Sequence, residues 1–155
     1  MRNRVLFSLL SFFVFLLLIA SCGKSDKKEI EELLSRRQKA FEAKDIDLYL
    51  SCISPEYKEE KGDRVIGIED LKKNFLSNVS IFDQIKIFYS DRSMYQEGEK
   101  AEVVQKTAVE VKIENDQSRF QINEKIGLEK IRGKWEIVRE SDADFLKGFV
   151  FGGKI

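Results

Sequence analysis

Histidine is absent from all 155 residues. With it go Ser-His and Cys-His nucleophilic catalysis and the commonest transition-metal ligand. There is one proline and there are two cysteines, and thiols this few among scattered carboxylates do not assemble a tetrahedral zinc site. No metal and no cofactor is therefore expected. An excess of either charge is also missing, since 27 basic residues balance 27 acidic ones. The two signs interleave, as in Lys58-Glu59-Glu60-Lys61 and Glu97-Gly98-Glu99-Lys100. That is the pattern of a solvated face, not the electrostatic footprint of a nucleic-acid binder.

The one long apolar run is amino-terminal. Met1-Arg-Asn-Arg4 leads into the almost wholly apolar stretch Val5 to Ala20, which closes on Ile19-Ala20-Ser21-Cys22. This resembles a bacterial lipoprotein signal: the arginines stay cytoplasmic, the apolar run enters the translocon, and small residues expose the backbone to a peptidase. The resemblance implies that residues 1–21 are removed and that Cys22 carries the lipid, with residues 22–28 as a polar tether. The run is shorter than the ~20 residues that span a bilayer comfortably. It is also apolar on every side, unlike a surface helix of a small domain. A retained anchor, a lipid-free secretory signal and a buried helix are the competing readings. Once Cys22 is modified only Cys52 remains, so no intramolecular disulfide can form. Cys52, among apolar neighbours in Tyr49-Leu-Ser-Cys-Ile53, reads as a small buried hydrophobe.

From Glu29 to Ala43 the residues Ile30, Leu33, Leu34, Ala40 and Phe41 recur at helical spacing, with Arg37 filling the remaining place in the row. Asp45 offers an N-cap to a short second helix that stops near Pro55. A small hairpin is expected around Lys61-Gly62. A third helix follows, marked by Ile68, Leu71, Phe75, Leu76 and Val79 and ending before Ile81. Beyond it the period becomes alternating, and turn residues at Gly98, Asn115-Asp116 and Gly133 predict four antiparallel strands over about 83–96, 100–114, 118–131 and 134–141. The inner faces should carry Ile85, Ile87 and Tyr89; Val103, Val109, Val111 and Ile113; Phe120, Ile122, Ile126 and Leu128; and Trp135 with Ile137.

Helices followed by long meandering strands make an α+β class, with N-terminal helices packed on a curved antiparallel sheet. The order of elements includes the Lys44-Asp45-Ile46-Asp47 turn, the Gly67-Ile68-Glu69-Asp70-Leu71 helix entry and the closing Gly133-Lys134-Trp135-Glu136-Ile137. In that order, over about residues 28–141, the chain resembles the nuclear transport factor 2-like (SnoaL-like) superfamily. A cystatin-like helix-on-sheet fold is the runner-up. The resemblance implies a single cone-like domain over 29–141 with an internal pocket. It leaves the activity open, because that family holds isomerases, cyclases and dehydratases beside members without catalysis.

Pocket residues follow from the register. With Asn115-Asp116 as a two-residue turn, Thr107 faces Glu124 and Gln105 faces Ile126, so Gln105, Thr107 and Glu124 share the inner face. With Arg132-Gly133 as the last turn, Ile126 faces Arg139, which also points inward. Glu124 and Arg139 then form either a rim ion pair or part of a pocket in which Glu124, Asp91 or Tyr89 orients the polar group of a mostly apolar small ligand. An enzyme reading makes Glu124 or Asp91 a general base and Tyr89 a hydrogen-bond donor.

The last fourteen residues, from Asp142, carry Phe145, Leu146, Phe149, Val150 and Phe151. Such a tail either folds back on the sheet or docks on a second copy or an envelope partner. The expectation is a lipid-anchored cell-envelope protein with a non-catalytic ligand-binding or protein-interaction domain. It would lie on the outer membrane facing the periplasm if the host has two membranes, and otherwise on the outer face of the plasma membrane. A general acid/base enzyme and a homo-oligomerising scaffold are the alternatives.

Overall fold

The structure is a computed structural model that describes residues 26–140. The signal with Cys22 and the apolar tail from Asp142 lie outside the described residues. By compactness the chain divides into Met1–Glu32 and Leu33–Ile155. In the first unit residues 26–32 are helical and hold an exposed Lys28–Glu32 ion pair at 3.7 Å. Among the described residues no helix is long and apolar enough to cross a bilayer.

The second unit opens with helical residues 33–43 (α1). Lys44 stops this helix in the left-handed region, at φ 58°. The Asp45 N–H then reaches back to the Ala40 carbonyl at 2.8 Å. Asp45 caps α2, Ile46–Leu50, by accepting from the Leu48 N–H at 2.9 Å, as its position in the sequence predicts. A hairpin of β1 (Glu59–Lys61) and β2 (Arg64–Ile66) turns at Gly62, φ 59°. Helix α3, Ile68–Val79, begins where the Gly67 N–H donates to Asp70 Oδ2 at 3.0 Å. Leu71, Phe75 and Val79 are buried on it, whereas Leu76, expected on the same face, is exposed.

Four strands follow: β3 Gln84–Glu97, β4 Lys100–Ile113, β5 Asp116–Ile131 and β6 Lys134–Glu140. They form one antiparallel meander in the order β3-β4-β5-β6. The chain is thus α+β, with helices preceding a four-stranded antiparallel sheet. Both edges of the sheet are partly covered. Along β3, the Ile87 N–H donates to Glu42 Oε1 at 2.9 Å, and Gln38 Nε2 donates to the Ile87 carbonyl at 2.8 Å. Along β6, Ile53 bridges Ile137, and the backbone of Cys52 and Ser54 completes two hydrogen bonds to Ile137. Side chains of α1 and the 52–54 segment thereby occupy donors and acceptors that would otherwise invite edge pairing.

Alternation sets the core. Ile85, Ile87, Val103, Val109, Val111, Ile126, Leu128, Trp135 and Ile137 are buried on one sheet face, as their period predicts. Phe41, Tyr49 and Phe75 meet at 4.7–5.1 Å between centroids where the three helices converge.

In the β4–β5 and β5–β6 pairings two details of register depart from expectation. The β4–β5 turn is Glu114-Asn115 rather than Asn115-Asp116, because Ile113 pairs with Asp116. Asp83 explains it: Oδ2 accepts the Glu114 N–H at 2.6 Å and holds Glu114 at φ 51°. Gln105 therefore lies opposite Glu124, and Thr107 opposite Ile122. The slip is two residues, so every side chain keeps its face. The second departure is a bulge between Gly127 and Leu128, which pairs Gly127 with Arg139 and Ile126 with Glu140. That shift is one residue, and it inverts the end of β6.

Candidate functional site

An otherwise apolar face of α1, with Leu33, Leu34, Ala40 and Phe41, carries Arg37 into the interior, where it is 1% exposed. Its Nη2 donates to Glu124 Oε1 at 2.9 Å, its Nε donates to Glu140 Oε1, and its Nη1 lies 3.5 Å from the Tyr89 hydroxyl. The guanidinium also sits 5.2 Å from the Phe41 ring centroid. One cation is thus clamped between two buried carboxylates from different strands.

Each carboxylate has further donors. Glu124 Oε2 accepts from Gln105 Nε2 at 2.9 Å and from the Thr107 hydroxyl. Gln105 Oε1 in turn accepts from Arg92 Nε at 2.7 Å, and Arg92 lies 4.9 Å over the Tyr89 ring. Glu140 Oε2 accepts from the Tyr49 hydroxyl at 2.8 Å. The Glu140 N–H donates to the Tyr57 hydroxyl at 3.1 Å, and Tyr57 donates onward to Glu59 Oε2 at 3.1 Å. The network spans α1, α2, the loop before β1 and all four long strands.

Burial is the largest influence on Glu124, Arg37 and the three tyrosines, and for Glu124 and Arg37 the partner charges overturn it. Desolvation would raise Glu124, yet the Arg37 charge and the hydrogen bonds from Thr107 and Gln105 hold its carboxyl below the usual range. Desolvation would lower Arg37, and Glu124 with Glu140 push it well above its ordinary value instead. Burial, then the Glu140 charge, drives Tyr49 and Tyr57 upward. Burial raises Tyr89 to about 12. Chemically this is an ionised carboxylate saturated by donors, which makes a weak proton acceptor, surrounded by phenols that keep their protons.

Of the six residues singled out from the sequence, the structure brings four together. Gln105, Thr107 and Glu124 are buried and mutually bonded, and Tyr89 meets them through Arg37. The inward placement expected of the other two is corrected. Asp91 sits at φ 50° in a β3 bulge between Ser90 and Ser93, and its carboxylate turns outward to Lys106 at 2.7 Å. Arg139 is turned out by the β6 bulge and pairs with Glu102 at 3.5 Å, and Glu140 takes the inward place.

Sequence reasoning passed over Arg37, Glu140, Tyr49, Tyr57 and Arg92. Arg37 left a signal: a charged residue in the apolar row of an amphipathic helix must be either misplaced or partnered inside. Arg92 left none, since it owes its direction to a bulge with no glycine or proline, and for Glu140 the one hint was Gly127 inside the facing strand.

A second feature lies apart from this network. An open groove of about 680 Å³ is lined by Lys58, Tyr95, Glu102, Gly127, Leu128 and Arg139 among others, and none of the buried network's residues borders it. The interior polar site and the accessible concavity are therefore different places.

No family model and no curated protein matches the sequence. Solved structures do match. A nuclear transport factor 2 (NTF2-like) superfamily protein from Salmonella enterica superposes with a TM-score of 0.67 at 16% identity, over 76% of this chain and 89% of that one. A protein of the NTF2-like family from Streptomyces avermitilis, put forward as a dehydratase, gives a TM-score of 0.66 at 12% identity, over 76% and 94%. A protein of unknown function from Nostoc punctiforme with a cystatin-like fold gives 0.62 at 20%, over 74% and 87%. At these identities the likeness is one of fold, and the chain has the nuclear transport factor 2-like α+β fold.

Proposed function

We propose that this is a lipid-anchored cell-envelope protein whose domain binds a small ligand or a protein without transforming it. The observation that carries the non-catalytic reading is the saturation of Glu124. Its two oxygens accept from three side-chain donors, and its side chain is 3% exposed. A base so engaged would have to break a buried ion pair before taking a proton. A dehydratase, the activity suggested for the Streptomyces neighbour, would need a free base, and the saturation of Glu124 disfavours that carboxylate for the role. Gln105, Thr107, Glu124 and Tyr89 serve in this reading as the polar frame of the interior. Ligand contact falls to the groove, with Arg139 at its wall.

Anchoring rests on the resemblance of residues 1–22 to a lipoprotein signal. Metabolic labelling with a palmitate analogue tests it. The native chain should label and sediment with membranes, and Cys22→Ala should do neither; a labelled, membrane-bound Cys22→Ala would refute the anchor. For the non-catalytic reading, turnover of any compound in a substrate panel that disappears in Glu124→Gln, with the fold intact, would overturn it.

A further inference from the structure

The groove has a floor that the register defines. Tyr95 pairs with Glu102, Glu102 with Gly127 and Gly127 with Arg139, so one straight row crosses all four strands. A parallel row of Glu97, Lys100 and Glu129 lies two residues away. Gly127 supplies no side chain, and the Arg139 side chain lies across it to reach Glu102 at 3.5 Å. A Cβ there would come within 3.4 Å of the Arg139 Cβ. Tyr95 stands at one end of the row with 65% of its surface exposed, and Lys58 lines the same groove.

The charges of the lining argue against a charged ligand. Lys58, Lys100 and Arg139 balance Glu97, Glu102 and Glu129. Lys100 pairs with Glu129 at 3.2 Å, and Glu102 is shared by Arg139 at 3.5 Å and Lys125 at 2.8 Å. An anion or a cation would meet as much repulsion as attraction. A hydroxyl meets neither: it donates to a carboxylate and accepts from the neighbouring guanidinium or ammonium, so each exposed ion pair is a ready partner for one or two vicinal hydroxyls. The exposed Tyr95 ring adds an electron-rich face suited to the C–H face of a sugar ring. The volume lies within the roughly 300–1,000 Å³ of small-ligand sites.

Resting on the proposal that the groove is where this domain binds, we infer that its ligand is a neutral polyhydroxylated molecule, a short oligosaccharide. The sugar ring stacks on Tyr95 and its hydroxyls engage the Glu102–Arg139 pair that lies over Gly127.

The test is a ¹H–¹⁵N NMR titration of the full chain in detergent micelles with chitotriose and cellotriose, using inorganic phosphate and an acidic peptide as charged comparators. One of the two sugars should shift the amides of Tyr95, Gly127 and Arg139 and leave Thr107 and Glu124 unmoved. Tyr95→Ala should weaken binding by roughly ten-fold, while Tyr95→Phe, which keeps the ring, should stay within about three-fold. Tyr95 is exposed, so unchanged melting of both variants will show that the fold is not at issue. Sugar binding indifferent to Tyr95→Ala overturns the inference. Shifts at the groove with phosphate or the peptide and none with either sugar sink the ligand class and leave the binding groove standing. No shift at the groove with any probe removes both.

Discussion

Replacing Arg37 with Met tests the central claim about the interior, namely that two buried carboxylates are tolerable only because one guanidinium lies between them. The substitution keeps most of the buried apolar volume and removes the charge, so Glu124 and Glu140, at 3% and 2% side-chain exposure, lose their common cation. Breaking a buried ion pair from one side typically costs ~3–5 kcal/mol, because the remaining charge is uncompensated. For the 115 residues 26–140, at an unfolding entropy of ~2.1 cal/mol/K each, 1 kcal/mol corresponds to ~4 °C, so the midpoint should fall by roughly 12–20 °C. Differential scanning calorimetry at pH 7 reads this directly. The triple variant Arg37→Met, Glu124→Gln, Glu140→Gln removes the orphaned charges and keeps acceptors for Tyr49, Thr107 and Gln105, and it should recover at least about half of the loss. The pH dependence carries a sign. Glu124 in the native chain is lowered, so its contribution is present above the unfolded value near ~4.3 and is lost as pH falls through the folded value. In Arg37→Met burial acts on Glu124 without the opposing cation, its folded value rises above the unfolded one, and the penalty eases as pH drops. The gap between the two proteins should therefore narrow from pH 7 to pH 4. A loss below about 1 kcal/mol, a triple variant no better than the single, or a gap that widens in acid would refute the reasoning.

Other consequences are simpler to read. Tyr89 should keep its proton until about pH 12, so a 295 nm titration should show late-ionising phenols, with stability declining as pH rises above the usual phenol range near ~10. Tyr57→Phe leaves the Glu140 N–H without its acceptor and Glu59 without a donor, and should lower stability by about 1–3 kcal/mol in urea melts. Cys52 is fully buried and its thiol is pushed up by burial, so alkylation by iodoacetamide should be slow in the native state and complete in denaturant. Rapid native labelling would contradict that placement.

Much of this fold was legible because two periods change cleanly in the sequence. Helical spacing gave α3 its bounds at Ile68 and Val79, and alternation with turns at Gly98 and Gly133 gave the four strands to within one or two residues. The inner faces survived a wrong turn assignment at Asn115, since a slip of two preserves them. What escaped was parity at bulges. One extra residue at Asp91 and one near Val138 decide whether Arg92, Arg139 and Glu140 face inward; the first carries no glycine or proline to mark it, and the second is marked only by Gly127 on the facing strand. Arg37 was legible in position but not in meaning, because its partners lie 87 and 103 residues away.

The β6 bulge makes adjacent residues answer to different environments. Glu140 belongs to the sealed interior and Arg139 to the exposed groove, so substitutions at 139 can vary the groove's lining without disturbing the charge balance within. A change of register is another matter. Closing the bulge with Val138 retained, so that Arg139 paired with Ile126, would exchange the two side chains, exposing a carboxylate and burying a second guanidinium beside Arg37, so this short strand can drift in composition far more freely than in register.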